Sequence, residues 1–561
     1  MIAIMRKLLP LILCLLTFAA FAQNTGKFDR STLQTYVQTT LSRQALLDLS
    51  RTYSVDKVTP NSDGTAEVRI CVAPREYECF EQLGIPFTIL DPGKAVAAMA
   101  NSYAQLVASW NRYPTYAAYV ETMSTFESEF PQLCDVDTIL AQTPGGHTLF
   151  VAHISNDLHN RGDKPSVFYT ASMHGDEPVG YYLMLHLIHY LLNNYATDAY
   201  VRQIVDNVDI WICPSENPDG TYRSSDTQIG SWYSTRYNQN GDDLNRSYPI
   251  IGQPVAKSYP PEVQAMMDFG AEHNFTLSVN FHGGAELVNY PWDTWTTIQR
   301  ATADQAWWDY VSRVYADTCH NVSSNYMTDM NNGVTEGGDW YVITGSRQDY
   351  YNYYLGCREA TIEVSSDKVP NSNNLPSFWN RNRRSLLNHI GQSLNGFRGI
   401  VTDSLTTQPL EACVFVENHD VDNSHTYSRL PYGDYHRPIK GGTYQVTFSA
   451  DGYYPKTLTL TAVDGQCLVQ DVQLVPCVAV PDRNMPQVSV YPNPAADKVC
   501  VCAGQEEILL VEVYDLFGKL LARNPVKCTS TSVDLSSYSS GVYTLNVTCA
   551  NGVVTKKVVK K

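Results

Sequence analysis

The residues best suited to chemistry in this 561-residue chain are His174, Glu177 and His282. Two imidazoles and one carboxylate form a donor set that holds zinc and leaves a fourth position open for water, as a hydrolytic metal centre requires. The His-x-x-Glu spacing alone is weak evidence, because it recurs by chance in long chains, and a helix-start carboxylate near an unrelated histidine is the plain alternative. The flanking segments strengthen it. Val167 to Met173 is apolar and β-rich, so His174 falls at the end of a strand, and Pro178 suits the first turn of a helix running to about Tyr195. One tight turn then presents His174 and Glu177 to the same point. His282 follows a second strand-like run, Thr276 to Phe281, whose C-terminal end is expected beside the first in a parallel sheet. His186 and His189 lie well along the helix and are expected to be packed residues, not ligands.

Further segments stand in order along the chain: Asn217-Pro218-Asp219-Gly220; a loop holding Arg236, Asn245 and Arg246; Asn289 to Asp293; Trp340-Tyr341; and Thr361-Ile362-Glu363-Val364. Over about residues 100 to 480 this set resembles the zinc metallocarboxypeptidases, and among them the carboxypeptidase N and E type, whose catalytic domain is followed by a transthyretin-like β-sandwich. The resemblance implies one Zn2+ per catalytic domain, held by His174, Glu177 and His282, and the C-termini of peptides or proteins as substrates. It makes Glu363 the general base, Arg236 the group that meets the developing oxyanion, and Asn245 with Arg246 the fork for a terminal carboxylate. Tyr341 corresponds to a mobile lid. Asp293, eleven places after His282, implies a preference for C-terminal Arg or Lys, whereas Gly356, aligned with another specificity position, offers no side chain. An amidohydrolase of the same fold acting on cell-wall peptides is the rival enzyme. A silent binding protein is the rival class, and it would be expected to lack Glu363 or a zinc ligand. No His-Glu-x-x-His segment occurs, against a thermolysin-type site.

Composition bounds the rest. A hydrophobic content of 43% supports real cores, and a net charge of −17 with no basic stripe argues against nucleic-acid binding. Arg6 and Lys7 precede an apolar run to Ala20, so residues 1–22 read as a secretory signal peptide; no other apolar run is long enough for a transmembrane segment. Thirteen cysteines follow it, an odd number; an oxidising compartment allows some disulfides, their pairing left open, and the cysteines are expected to be buried or bridged. Residues 23–100 carry a βαβ-type pattern from Ala66 to Leu90 and resemble the activation segment of procarboxypeptidases, which implies a cover over the cleft until proteolysis; a permanently attached domain is the alternative. Residues 101–395 alternate strands and helices, an α/β domain with a mixed, mainly parallel sheet and helices on both faces. Residues 396–480 read as the all-β transthyretin-like sandwich. Beyond a polar linker, Asp482 to Met485, residues 486–561 resemble the C-terminal sorting domain of the Bacteroidetes type IX secretion system. That small all-β tail implies export through the periplasm by the type IX machinery, to a secreted or outer-membrane surface location.

Overall fold

Val37, Leu41, Val55, Val68, Ile70 and Val72 alternate with polar neighbours along three strands, β1 (Thr35–Ser42), β2 (Ser54–Pro60) and β3 (Thr65–Val72), and bury one sheet face. Helices α1 (Arg43–Ser50) and α2 (Tyr77–Glu81) cover that face through Leu46, Leu49 and Phe80. With β4 (Thr88–Ile89) the order is β2-β3-β1-β4, antiparallel throughout. The βαβ pattern read from Ala66 onward is therefore split, with β1 inserted between β3 and β4. β1 carries too little apolar contrast among its Thr and Gln residues to announce itself in sequence. The computed structural model describes residues 34–91, 93, 96–477, 487–516 and 518–561. The expected signal peptide and the Asp482–Met485 linker lie outside these described residues.

The main sheet is organised around strands with no solvent face. In β7 (Ser166–Ala171) all six residues are buried, with Val167, Tyr169 and Ala171 in one core and Phe168 in another. Such a strand must be central, with helices on both sides. The other strands are β5 (Cys134–Leu140), β6 (Leu149–Ile154), β8 (Asp209–Cys213), β9 (Leu277–His282), β10 (Glu286–Tyr290), β11 (Val334–Glu336) and β12 (Arg358–Val364), in the order β11-β10-β12-β9-β7-β8-β6-β5. β12, β9, β7 and β8 are mutually parallel neighbours, flanked by antiparallel pairings. Helices α3 (Pro178–Asn194), α5 (Gln305–His320) and α7 (Leu375–Gln392) supply Leu187, Tyr315 and Leu386 to one core. α4 (Pro261–His273) and α6 (Arg347–Leu355) supply Met266 and Tyr351 to the other. Register places His282 opposite Glu363 and Phe281 opposite Ala171, so the C-terminal ends of β7, β9 and β12 meet at one edge.

After α7 the chain forms two four-stranded sheets facing each other across Phe397, Val414, Val446 and Leu474. The runs at Gly396–Asp403, Cys413–Val416, Gly442–Ser449 and Lys456–Ala462 are all strands. The last unit, from Pro476, builds a three-stranded and a four-stranded sheet around Val499, Val511, Leu545 and Val547. Its penultimate residue, Lys560, is buried, and its Nζ donates to the carbonyls of Leu535 at 2.7 Å and Tyr538 at 2.5 Å. Of the two states the sequence allowed, bridged or buried, no bridge forms among the described residues, where the cysteines from Cys71 to Cys549 are all free. Cys71, Cys134, Cys213, Cys319 and Cys357 are instead buried, packed as small apolar side chains. No described helix is long and apolar enough to cross a membrane.

Candidate active site

From β7 the chain turns through Ser172 and Met173 into α3, whose N-cap is Glu177 and whose first residue is Pro178. This turn packs hard on the loop that follows β8. A Cβ on Gly175 would lie 2.1 Å from the carbonyl carbon of Gly220, so only glycine lets the loops meet. Asn217 ties them together, its Nδ2 donating to Met173 O at 3.1 Å and to Arg236 O at 3.3 Å.

His174 Nδ1, His282 Nδ1 and Glu177 Oε2 form a triangle with sides of 3.0, 3.1 and 2.9 Å. A point about 2 Å from all three, the usual zinc–ligand distance, lies just off its plane. Asp243 Oδ1 stands 3.2 Å from His174 Nε2. An ionised carboxylate there requires the proton on Nε2 and leaves the Nδ1 lone pair for a cation. The donor set therefore fits zinc in type, spacing and tautomer. Glu363, beside His282, has Oε2 without a partner. Burial and then the Glu177 charge push its carboxyl well above the usual range, and a bound cation would pull it back.

Arg236 and Arg246 approach from one loop. Arg236 Nε donates to Asp243 Oδ2 at 2.9 Å and its Nη1 lies 3.7 Å from Glu177 Oε1, which holds the guanidinium at the edge of the triangle. Arg246 gives Nη1 to Asn245 O at 2.8 Å, while its Nε and Nη2 are buried without partners. Buried donors left unpaired are costly unless a ligand supplies acceptors. Asn245 Oδ1 accepts from Arg347 N at 3.0 Å, which leaves its NH2 group as the side chain's donor.

Asp293 lies deeper, accepting from Gln348 Nε2 at 3.1 Å and Asn289 Nδ2 at 3.4 Å, while its backbone N–H donates to Asp349 Oδ1 at 2.8 Å. Burial and the Asp293 charge raise the Asp349 carboxyl to about 7. Gly356 does not line this pocket. It ends α6 in the left-handed conformation, φ +63°, and faces a different cavity. From α6, Gln348 reaches the Asp293 carboxylate and Asp349 its backbone N–H.

All nine residues singled out from sequence line one cavity, in company with Val55 and Asp56 of β2. Its volume is only 30 Å³, room for little more than a water molecule or two. β2 closes it. Tyr341 Oη donates to Val55 O at 3.3 Å, Ser54 Oγ is hydrogen-bonded to Asp243, and Asp56 Oδ1 pairs with Lys368 Nζ at 2.6 Å. Lys368 in turn lies 2.9 Å from Glu177 Oε1 and 3.3 Å from Asp176 Oδ2. His186 stacks between Trp110 and Trp379, each ring 4.0 Å away, and burial lowers its imidazole to about 3, so the second histidine pair is core packing.

Asp56, Asp243, Gln348 and Lys368 were not read from the sequence. Asp243 and Lys368 had a local signal, three places before Arg246 and five after Glu363. Asp56 had none, since its role depends on docking of a separate sheet.

A sequence model of the zinc carboxypeptidase family matches residues 119–385, and one of the secretion system C-terminal sorting domain matches residues 489–561. Carboxypeptidase D of Homo sapiens is 34% identical over 351 residues, covering 60% of this chain and 25% of that protein. Carboxypeptidase M of Mus musculus is 32% identical over 326 residues, covering 56% of this chain and 70% of that protein. The solved carboxypeptidase A of Helicoverpa armigera aligns over 64% of this chain and 96% of its own, with 16% identity and a TM-score of 0.49. The chain thus spans about a quarter of the carboxypeptidase D relatives' length.

Proposed function

We propose that this chain, which belongs to the zinc carboxypeptidase family, is an exported zinc-dependent exopeptidase that removes C-terminal residues, preferring Arg and Lys. The observation that carries this reading is Arg246, whose buried, unpartnered Nε and Nη2 share a cavity with the His174–Glu177–His282 triangle. A peptide's terminal carboxylate fits that fork, with the Asn245 NH2 group as a further donor. Held there, only the last peptide bond reaches the triangle, so cleavage is confined to chain ends. Zinc, when bound by His174, Glu177 and His282, supplies Lewis acidity towards the scissile carbonyl and acidifies water. Glu363 takes the water's proton and returns it to the leaving amine. Arg236, already oriented by Asp243, faces the oxygen that becomes negative and needs no reorganisation to do so. Tyr341 closes over the terminal residue. Asp293, oriented by Gln348, offers a carboxylate to a basic side chain.

Two substitutions separate these roles. Arg246→Ala is expected to lower kcat/KM by about 10²-fold, mainly through KM, since it removes charge-assisted hydrogen bonds made in both ground and transition states. An unchanged KM would remove Arg246 from the fork. Asp293→Asn is expected to reduce the preference for C-terminal Arg over Leu by about 30-fold, measured as release from matched peptides. If the parent enzyme already releases Leu as fast as Arg, the basic preference is wrong.

The overall reading is tested on full-length protein nicked between residues 91 and 101, incubated with defined peptides and muropeptides and analysed by mass spectrometry. Stepwise loss of single C-terminal L-residues is the expected product series. Release of D-residues or isopeptide-linked fragments alone would replace the exopeptidase with the amidohydrolase. The chain carries a secretion-system C-terminal sorting domain; we assign it to type IX export across the outer membrane, so removal of residues 486–561 should leave the protein in the periplasm.

A further inference from the structure

A cavity of about 510 Å³, sharing no lining residue with the catalytic cleft, lies at the seam between the catalytic body and the β-sandwich. Tyr354 and Arg358 line it from the catalytic side; His425, Tyr427, Arg429 and His436 line it from the sandwich. Tyr354 is 41% and Tyr427 51% exposed, so two large aromatic rings of the lining remain open to solvent.

The lining of the cavity is cationic. Arg161, Arg358, Arg429 and Arg437 share three carboxylates, Asp304, Asp420 and Asp434. Burial holds Arg358 and Arg429 below the usual guanidinium range, and the neighbouring Arg437 and Arg161 charges add to this. Asp209 acts on Arg161 and Arg429 as a fourth acid, but the lining of the cavity itself holds Arg358 and Arg429 and no carboxylate. His436 adds a distinct requirement. It is buried, its Nε2 lies 3.2 Å from Asp434 Oδ2, and its Nδ1 has no partner. Asp434 is ionised, so Nε2 carries the proton; burial lowers the imidazole to about 4, so the ring is neutral and Nδ1 is an acceptor lacking a donor. The loop bringing the sandwich to this seam turns through Asp422 and Asn423, both left-handed at φ 55° and 60°, and Asn423 Nδ2 donates to Tyr353 O at 3.0 Å.

Exposed aromatic rings suit the apolar face of a sugar ring, two guanidiniums in a lining without acids suit a carboxylate, and an unmet acceptor suits a hydroxyl donor. We propose that this seam cavity is a binding site for an acidic sugar residue, a hydroxylated ring bearing one carboxylate, such as a uronic acid unit of a glycan. Tyr354 and Tyr427 form the stacking platform, Arg358 and Arg429 attract the carboxylate, and His436 Nδ1 accepts from a ring hydroxyl. The site is independent of the peptidase reading.

The test is titration of the full chain with D-glucuronate, D-glucose and acetate, followed by calorimetry or ligand-observed NMR. Glucuronate should bind saturably and at least tenfold more tightly than either glucose or acetate. The doubly substituted Tyr354→Ala, Tyr427→Ala protein, altered only at partly exposed side chains, should lose glucuronate affinity by at least tenfold. Asp293→Asn, in the peptide cleft, should bind it like the parent. Absence of saturable glucuronate binding, equal binding by the double variant, or displacement by a peptide ending in arginine would each overturn the proposal.

Discussion

Glu363→Gln is expected to lower kcat at least ~10³-fold while changing KM by no more than about twofold, the pattern of a group acting only in the transition state. The substitution keeps the size and hydrogen-bonding shape of the side chain but removes its ability to take a proton. Glu363 stands at the end of β12, directly opposite His282 in register, with Oε2 unpartnered. It is not a member of the donor triangle, whose three atoms come from His174, Glu177 and His282. Zinc content, measured by elemental analysis, should therefore match the parent. Loss of metal together with activity would make Glu363 a ligand, and retained turnover would end its role as base. The contrast is His282→Ala, which removes a donor and should abolish metal and turnover together.

Scission between residues 91 and 101 is expected to raise kcat/KM by at least ~10²-fold over the uncut chain, because substrate cannot enter a cleft of 30 Å³ that β2 already fills. The block has three parts. Val55 and Asp56 take the space, Tyr341 is held on Val55 O, and Lys368 is engaged by Asp56 next to Glu177. Further contacts fasten the sheet around the rim: Arg75 Nη2 to Asp242 Oδ1 at 3.2 Å, Tyr36 to Asp176, and Tyr237 Oη to Cys71 O at 2.9 Å. Asp56→Ala in the uncut chain should raise activity by a smaller factor, since the β2 backbone remains in place. Turnover by the uncut chain equal to that of the cut chain would make residues 34–91 a permanently attached domain. So would a nicked chain whose N-terminal fragment stays bound without loss of activity.

Where a function required neighbours in sequence, the sequence was informative. His174 and Glu177 lie in one turn because a strand end, a glycine and a proline at a helix start are local facts, each governed by backbone sterics. The strand-like runs that became β7, β9 and β12 follow from the same short-range patterning, as do the strands of the β-sandwich. These preferences act over a few residues and survive in any context. Long-range relations were different. That Asp243 sets the tautomer of His174, that Gln348 and not Gly356 reaches Asp293, and that the described cysteines remain unpaired depend on the register and packing of elements remote in the chain. Most of all, the closure of the cleft by β2 rests on side chains whose partners lie well over a hundred positions away, such as Ser54 with Asp243 and Asp56 with Lys368. The chain by itself determined which groups were available for chemistry. Which of them meet, and whether a substrate can reach them, was decided by tertiary packing, because contact energies between distant segments exist only once the backbone entropy of bringing them together has been overcome.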